Sequence, residues 1–113
     1  MNLYGIKNCD TVKKARKWLD TREIEYTFHD LKQTAPDRAR LQRWSRAVGW
    51  ETLLNRRGQT WRQLDESQRQ DINEAGAVAL MQEYPMLIKR PVIENGDQVL
   101  VGFKETDYQQ HFE

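Results

Sequence analysis

The chain is predicted to be an α/β protein: a mixed sheet with helices on both faces, in the order β-α-β, a helical block, then β-β-α. Three observations predict it. Within the first thirty residues an amphipathic segment separates a short apolar run from an alternating one. The middle of the chain keeps helical spacing and carries no strand signal. Near the end, Asn95-Gly96 sits between apolar runs as a two-residue hairpin signal.

Residues 2–5 read as a short strand, and Gly5 and Asn8 mark the bend after it. From about residue 9 to 20, Val12, Ala15 and Leu19 share one helical face, with Trp18 beside them. Lys13, Lys14, Arg16 and Lys17 cover the rest of that helix. Residues 24–29 alternate, with Ile24, Tyr26 and Phe28 on one side, the pattern of a half-buried strand. Strand, helix, strand in this order favours a parallel pair with a right-handed crossover. Pro36 and Asp37 suit the first turn of a second helix, whose stripe is Leu41, Trp44 and Val48 and whose end is Gly49. From residue 50 to about 84 the helical pattern is broken into pieces. Trp50, Leu53 and Leu54 belong to one, Trp61 and Leu64 to another. Asn73 can cap a longer helix carrying Ala75, Val78, Ala79 and Met81. Met86-Leu87-Ile88 and Val92-Ile93 are strand-like runs around Lys89-Arg90-Pro91, and Val99-Leu100-Val101 supplies the returning strand. Residues 104–112 suit a last helix with Tyr108 and Phe112 on one side.

A chain of 113 residues is enough for one domain with a real core. With 31% charged and 38% hydrophobic residues it reads as a globular protein in water. The net charge of +1 argues against nonspecific nucleic-acid binding. No apolar run approaches the roughly 20 residues needed to span a bilayer. Lys7, Asp10 and Lys13 interrupt what would be the apolar core of a signal peptide. A cytoplasmic location is the default expectation. Cys9, His29 and His111 are far apart and form no metal-binding cluster in sequence, so no metal is expected.

Cys9 is the only cysteine. It falls where the first strand turns into the first helix. A lone cysteine can be a small buried filler. A thiol at a helix start instead faces free backbone N–H groups and the positive end of the helix dipole, which stabilise a thiolate. Lys7 and Lys13 act in the same direction and Asp10 against it. No second thiol follows: a Cys-x-x-Cys partner would stand at Val12. A catalytic Cys9 therefore needs an outside thiol, and glutathione is the abundant one in a reducing compartment. Lys89-Arg90-Pro91 reads either as an edge strand with solvated cations or as a cis X–Pro bond beside the thiol, leaving backbone groups and a guanidinium for a substrate. Asn55-Arg56-Arg57-Gly58 reads either as a solvated loop or as a holder of an oxyanion or carboxylate. The four tryptophans suit core packing, and His29 and His111 structural or incidental positions.

The strand–bend–Cys9–helix start, Leu53-Leu54-Asn55-Arg56-Arg57, and Pro85-Met86-Leu87-Ile88-Lys89-Arg90-Pro91-Val92 together resemble the arsenate reductase (ArsC)/Spx family. The opening Tyr4-Gly5-Ile6-Lys7-Asn8-Cys9-Asp10-Thr11 looks most like its YffB branch. The resemblance implies a thioredoxin-like fold over residues 1–113, with a helical insertion at about 35–84 between its two halves. It implies that Cys9 is the nucleophile. Arg90 and Pro91 match the family's arginine and cis-proline, and Arg57 is the candidate for its middle arginine, with Arg56 a near equivalent. Arsenate reductases of the family carry a third arginine after the hairpin. Here that stretch is Val101-Gly102-Phe103, with only Lys104 nearby.

The function this implies is a glutathione-dependent thiol–disulfide oxidoreductase resembling a monothiol glutaredoxin. Glutathione is the expected cosubstrate, and Lys7, Asn8, Arg57, Arg90 and Pro91 are expected to bind it or the substrate. One alternative is arsenate reduction, an oxyanion substrate with glutathione and glutaredoxin as partners. The other is a Spx-like regulator that binds RNA polymerase, against which the missing Cys-x-x-Cys counts. A monomer is expected, with no direct nucleic-acid or membrane partner.

Overall fold

The computed structural model describes all 113 residues. Its strands are β1 (Asn2–Gly5), β2 (Thr27–Asp30), β3 (Val92–Asn95) and β4 (Gln98–Val101). Its helices are α1 (Asp10–Thr21), α2 (Arg38–Val48), α3 (Trp50–Leu53), α4 (Gln59–Gln63), α5 (Glu66–Arg69), α6 (Glu74–Glu83) and α7 (Glu105–Phe112). They form two compact units, one of Met1–Asp30 with Arg90–Glu113 and one of Leu31–Lys89. No helix is long and apolar enough to cross a membrane.

The first unit holds a four-stranded mixed sheet in the order β2-β1-β3-β4. β1 runs parallel to β2 and antiparallel to β3, and β3 runs antiparallel to β4. The register places Phe28, Leu3, Ile93 and Leu100 in one row across the sheet. Because strand side chains alternate, this row defines one face. Val12, Ala15, Trp18 and Leu19 of α1 and Tyr108 of α7 pack against it. Within this unit both helices share that face. Leu3, Val12, Leu19 and Ile93 are all fully buried, each worth about 1.5–3 kcal/mol of burial. Aromatic edges complete the layer: Trp18 meets Tyr108 at 5.4 Å and 88°, and Phe103 meets it at 4.8 Å and 87°.

Three local expectations shift. β2 begins at Thr27, not Ile24, because the chain before it closes α1. Ile24 N–H donates to Leu19 C=O (3.0 Å) and Glu23 N–H to Asp20 C=O (3.0 Å), with Glu23 at φ 58°. That is a Schellman cap without its usual glycine, so no glycine signalled it. The hairpin pairs Asn95 with Gln98, so its loop is Gly96-Asp97, one residue later than expected. Gly96 at φ 62° occupies the first central position of a type II′ turn. Gly5 is not part of the bend but the last residue of β1; Lys7 and Asn8 make the turn.

In the second unit α2 packs against α3 and α6. Asp37 is the N-cap of α2, one position outside the first turn, and its carboxylate accepts from Arg40 N–H (2.9 Å). The helix stops at Gly49, φ 87°. Leu41 and Trp44 are fully buried, whereas Trp50 and Trp61 are only half-buried. Asn73 caps α6, its Oδ1 accepting from Gly76 N–H at 2.8 Å. That helix buries Ala77, Val78 and Met81, while Ala75 and Ala79 are exposed. Met86-Leu87-Ile88 is not a strand. Pro85 opens a 3-10 turn over Pro85–Leu87, and only Ile88 pairs, in an isolated antiparallel bridge with Leu54.

Candidate functional site

Cys9 is the N-cap of α1, with φ −138° and ψ 121°, rather than its first helical residue. Its C=O accepts the first intrahelical bond, from Lys13 N–H at 2.9 Å. Its side chain makes no capping hydrogen bond. The N–H groups of Asp10, Thr11 and Val12 thus belong to the first turn, where a helix has no carbonyl to offer them. The thiol is free and partly buried, with the core layer of Leu3, Val12 and Ile93 on one side. Lys7 and Asn8 lie in the exposed turn just before it. Position 12, where a resolving cysteine would stand, is fully buried, and Val12 packs against the backbone of Gly5.

The Arg90–Pro91 bond is cis. Pro91 is buried and Arg90 half-buried. Pro91 C=O accepts from Gly102 N–H at 2.8 Å, which ties the start of β3 to the end of β4. The β1–β3 register ends at Tyr4↔Val92. Extended by one residue, it puts Pro91 abreast of Gly5, at the end of β1 from which the chain turns to Cys9. Cys9, Lys7, Asn8, Arg90 and Pro91 therefore lie toward one end of the sheet, although more than eighty residues separate Cys9 from Pro91.

Arg57 belongs to the second unit. Asn55 N–H donates to Leu87 C=O (2.7 Å) and Lys89 N–H to Leu53 C=O (2.8 Å), around the Leu54–Ile88 bridge. The segments Leu53–Asn55 and Leu87–Lys89 of this unit are thereby held side by side. Beyond the bridge, Asn55 Oδ1 accepts from Arg57 N–H (3.1 Å), an Asx turn that shapes the loop. Arg56 and Arg57 then part company. The Arg56 guanidinium lies 5.9 Å from the Trp50 ring centroid, while Arg57 is exposed and its side chain takes no hydrogen bond or ion pair. The sequence carried Asn55 only as the first residue of Asn55-Arg56-Arg57-Gly58; the structure gives it the part of shaping that loop.

The stretch after the hairpin is structural. Gly102 sits at φ 79°, its C=O accepts from Tyr108 O–H (3.0 Å), and Phe103 packs edge-on against the same ring. His29 stacks on Tyr4, with ring centroids 4.5 Å apart, and its Nε2 lies 2.9 Å from Asn2 Oδ1. His111 rests on Phe112, far along the sequence from Cys9. No group of three or more His, Cys, Asp and Glu side chains is placed to hold a metal ion.

Known proteins share this fold. The ArsC family profile matches residues 4–111. The solved structure of the YffB protein superposes with a TM-score of 0.94 at 53% identity, covering 96% of each chain. An arsenate reductase (ArsC) related protein from Brucella melitensis has a TM-score of 0.76 at 47% identity, covering 99% of this chain and 93% of the other. An uncharacterised protein of Haemophilus influenzae is 43% identical over 112 residues, 99% of this chain and 98% of that one. The fold is the mixed α/β architecture of these thioredoxin-like relatives, and the chain belongs to the ArsC family.

Proposed function

We propose that this ArsC-family chain is a glutathione-dependent thiol–disulfide oxidoreductase in which Cys9 is the nucleophile. The observation that carries the reading is the sole thiol at the N-cap of α1 with buried Val12 at the position of a resolving partner. A thiol so placed has donors to stabilise its thiolate and no neighbour to complete a disulfide.

The chemistry follows from that pairing. Cys9 thiolate attacks the glutathione sulfur of a mixed disulfide. A new Cys9–glutathione S–S bond forms, the old S–S bond breaks, and the released substrate thiolate takes a proton from water. A second glutathione thiolate then attacks the glutathione sulfur on Cys9. Oxidised glutathione leaves and the Cys9 thiolate is restored. In sum one free glutathione thiol is oxidised and one substrate thiol is released, the glutathione of the mixed disulfide leaving as half of oxidised glutathione. Lys7, Asn8 and the first-turn N–H groups steady the thiolate. Arg90, with the backbone beside Pro91, takes a carboxylate of glutathione.

A disulfide is favoured over arsenate as the electrophile because the stretch after the hairpin offers a packed Phe103 where a third oxyanion-binding arginine would be needed. The test is intact-mass analysis after incubation with oxidised glutathione. One glutathione adduct is expected on the protein and none on Cys9→Ser. An unmodified wild type would refute the proposal, and Cys9-dependent turnover of arsenate in preference to a mixed disulfide would replace it with arsenate reduction.

A further inference from the structure

At the other end of α1 from Cys9, an open groove of about 870 Å³ runs between that helix and the free edge of β2. Arg16 and Asp20 form one wall, and the run from Glu23 to Phe28 forms the other. With a rise of 1.5 Å per residue, Arg16 lies about 10 Å along the helix from Cys9. The groove is thus separate from the thiol.

Arg16 and Asp20 are one helical turn apart, the spacing of an ordinary surface ion pair. They do not form one. Asp20 Oδ1 accepts from Tyr26 O–H (3.0 Å), and the Tyr26 oxygen accepts from Arg16 Nε (3.1 Å). The Arg16 guanidinium carbon stands over Phe28, 4.2 Å from its ring centroid. One donor and one face of the guanidinium are so held, and the side chain is half-buried. Its two terminal nitrogens take no hydrogen bond or ion pair. Burial raises the Tyr26 hydroxyl above its ordinary range, which keeps it a donor to Asp20. This is a guanidinium oriented in advance, with its fork unspent.

The opposite wall offers backbone. Thr27 N–H donates to Met1 C=O, toward β1. In a parallel ladder alternate residues point to opposite sides, so the N–H and C=O of Phe28 face the open edge. Glu23 and Glu25 add carboxylates along the same wall, and Ile24 adds an apolar surface. Three acidic residues, Asp20, Glu23 and Glu25, along the groove's lining disfavour a free inorganic anion. They suit a ligand that brings one acid, a base some residues away and an extended backbone between.

We infer that the groove between α1 and β2 is a docking site for an extended peptide segment of a partner protein, which pairs with the edge of β2 and places an acidic side chain on Arg16. This is strand addition at a sheet edge: main-chain bonds to Phe28 give affinity, and the guanidinium gives specificity. The reading does not depend on the chemistry of Cys9.

The test uses the full-length chain labelled with ¹⁵N. It is titrated with a capped pentapeptide of valines carrying a central glutamate and a terminal lysine, and with the same peptide carrying glutamine. Saturable shifts are expected at the Thr27 and Phe28 amides and at Arg16 Nε. Binding should weaken at least about tenfold for the glutamine peptide, and equally for the glutamate peptide with Arg16→Lys. Methylating the peptide's central amide should abolish the Phe28 shifts. Absent shifts, or equal affinity for the two peptides, would overturn the inference. So would inorganic phosphate moving Arg16 Nε as strongly as the glutamate peptide, because that describes an anion site and not a peptide site. The two-peptide comparison uses the wild-type protein, so it stands even if the Arg16 variant folds poorly.

Discussion

Replacing Gly5 by alanine should push α1 away from β1 at the point where Cys9 is positioned. A Cβ at Gly5 would stand 2.9 Å from Val12 Cγ2 and 3.1 Å from Val12 Cγ1. Both are closer than carbon atoms pack. Val12 cannot swing aside, because a β-branched side chain has one strongly preferred rotamer in a helix and this one is fully buried. Overpacking of this kind costs about 1–3 kcal/mol. The lower chain entropy of alanine in the unfolded state returns about 0.4–1 kcal/mol, since Gly5 has no positive φ to lose. Gly5→Ala should therefore destabilise by about 1–2 kcal/mol. Val12→Ala alone removes two buried methyl groups, about 1.6 kcal/mol of transfer and somewhat more with the cavity. In the double variant the new methyl fills part of that space, so Gly5→Ala becomes neutral or slightly stabilising. The coupling between the two sites should be at least about 1 kcal/mol. Urea denaturation followed by tryptophan fluorescence reads it directly, since Trp18 and Trp44 are both buried. Thermal midpoints should move by roughly 4 °C per kcal/mol in a chain of this size. Additivity within about 0.5 kcal/mol would show that the strand and helix do not meet through these atoms, and would refute the reasoning.

Two further outcomes follow from other contacts. Asn73→Ala removes the side-chain acceptor of Gly76 N–H at the start of α6 and should cost about 1 kcal/mol in urea denaturation, with Asn73→Asp restoring most of it; a change below about 0.3 kcal/mol would mean that water replaces the cap. Tyr108 is buried, and burial raises its hydroxyl well above the usual value of 10.0. The folded state therefore keeps a proton that the unfolded state gives up. The contribution is whole below pH 10.0 and is lost as the pH climbs from there toward the raised folded value. The stability of the wild type should fall above that pH by about 1.4 kcal/mol per unit more steeply than that of Tyr108→Phe, measured by urea midpoints at several alkaline pH values; parallel slopes would show that the hydroxyl ionises as freely folded as unfolded.

Much of this fold was legible because its signals are local. Alternation at Phe28, helical spacing at Val12, Ala15 and Leu19, a cap at Asn73 and a glycine turn after Asn95 each act within a few residues. The errors are local signals overruled or displaced by neighbours. Ile24 alternates like a strand residue but is used to close α1, and Met86-Leu87 is apolar like a strand but follows Pro85 into a 3-10 turn. For the site, the family resemblance named Cys9, Arg90 and Pro91, whereas the separate settings of Arg56 and Arg57 depend on where Trp50 and Asn55 lie in space.

By itself, then, the sequence determined that one thiol stands at a helix start without a partner, because composition and short-range periodicity are properties of the chain alone. Only the tertiary structure decided that Pro91 comes abreast of Gly5, that the sheet runs β2-β1-β3-β4, and that Arg16 is turned from Asp20 by Tyr26. Those relations depend on the register of strands far apart in sequence and on which of several possible donors reaches an acceptor first. Neither is written in the spacing of residues along the chain.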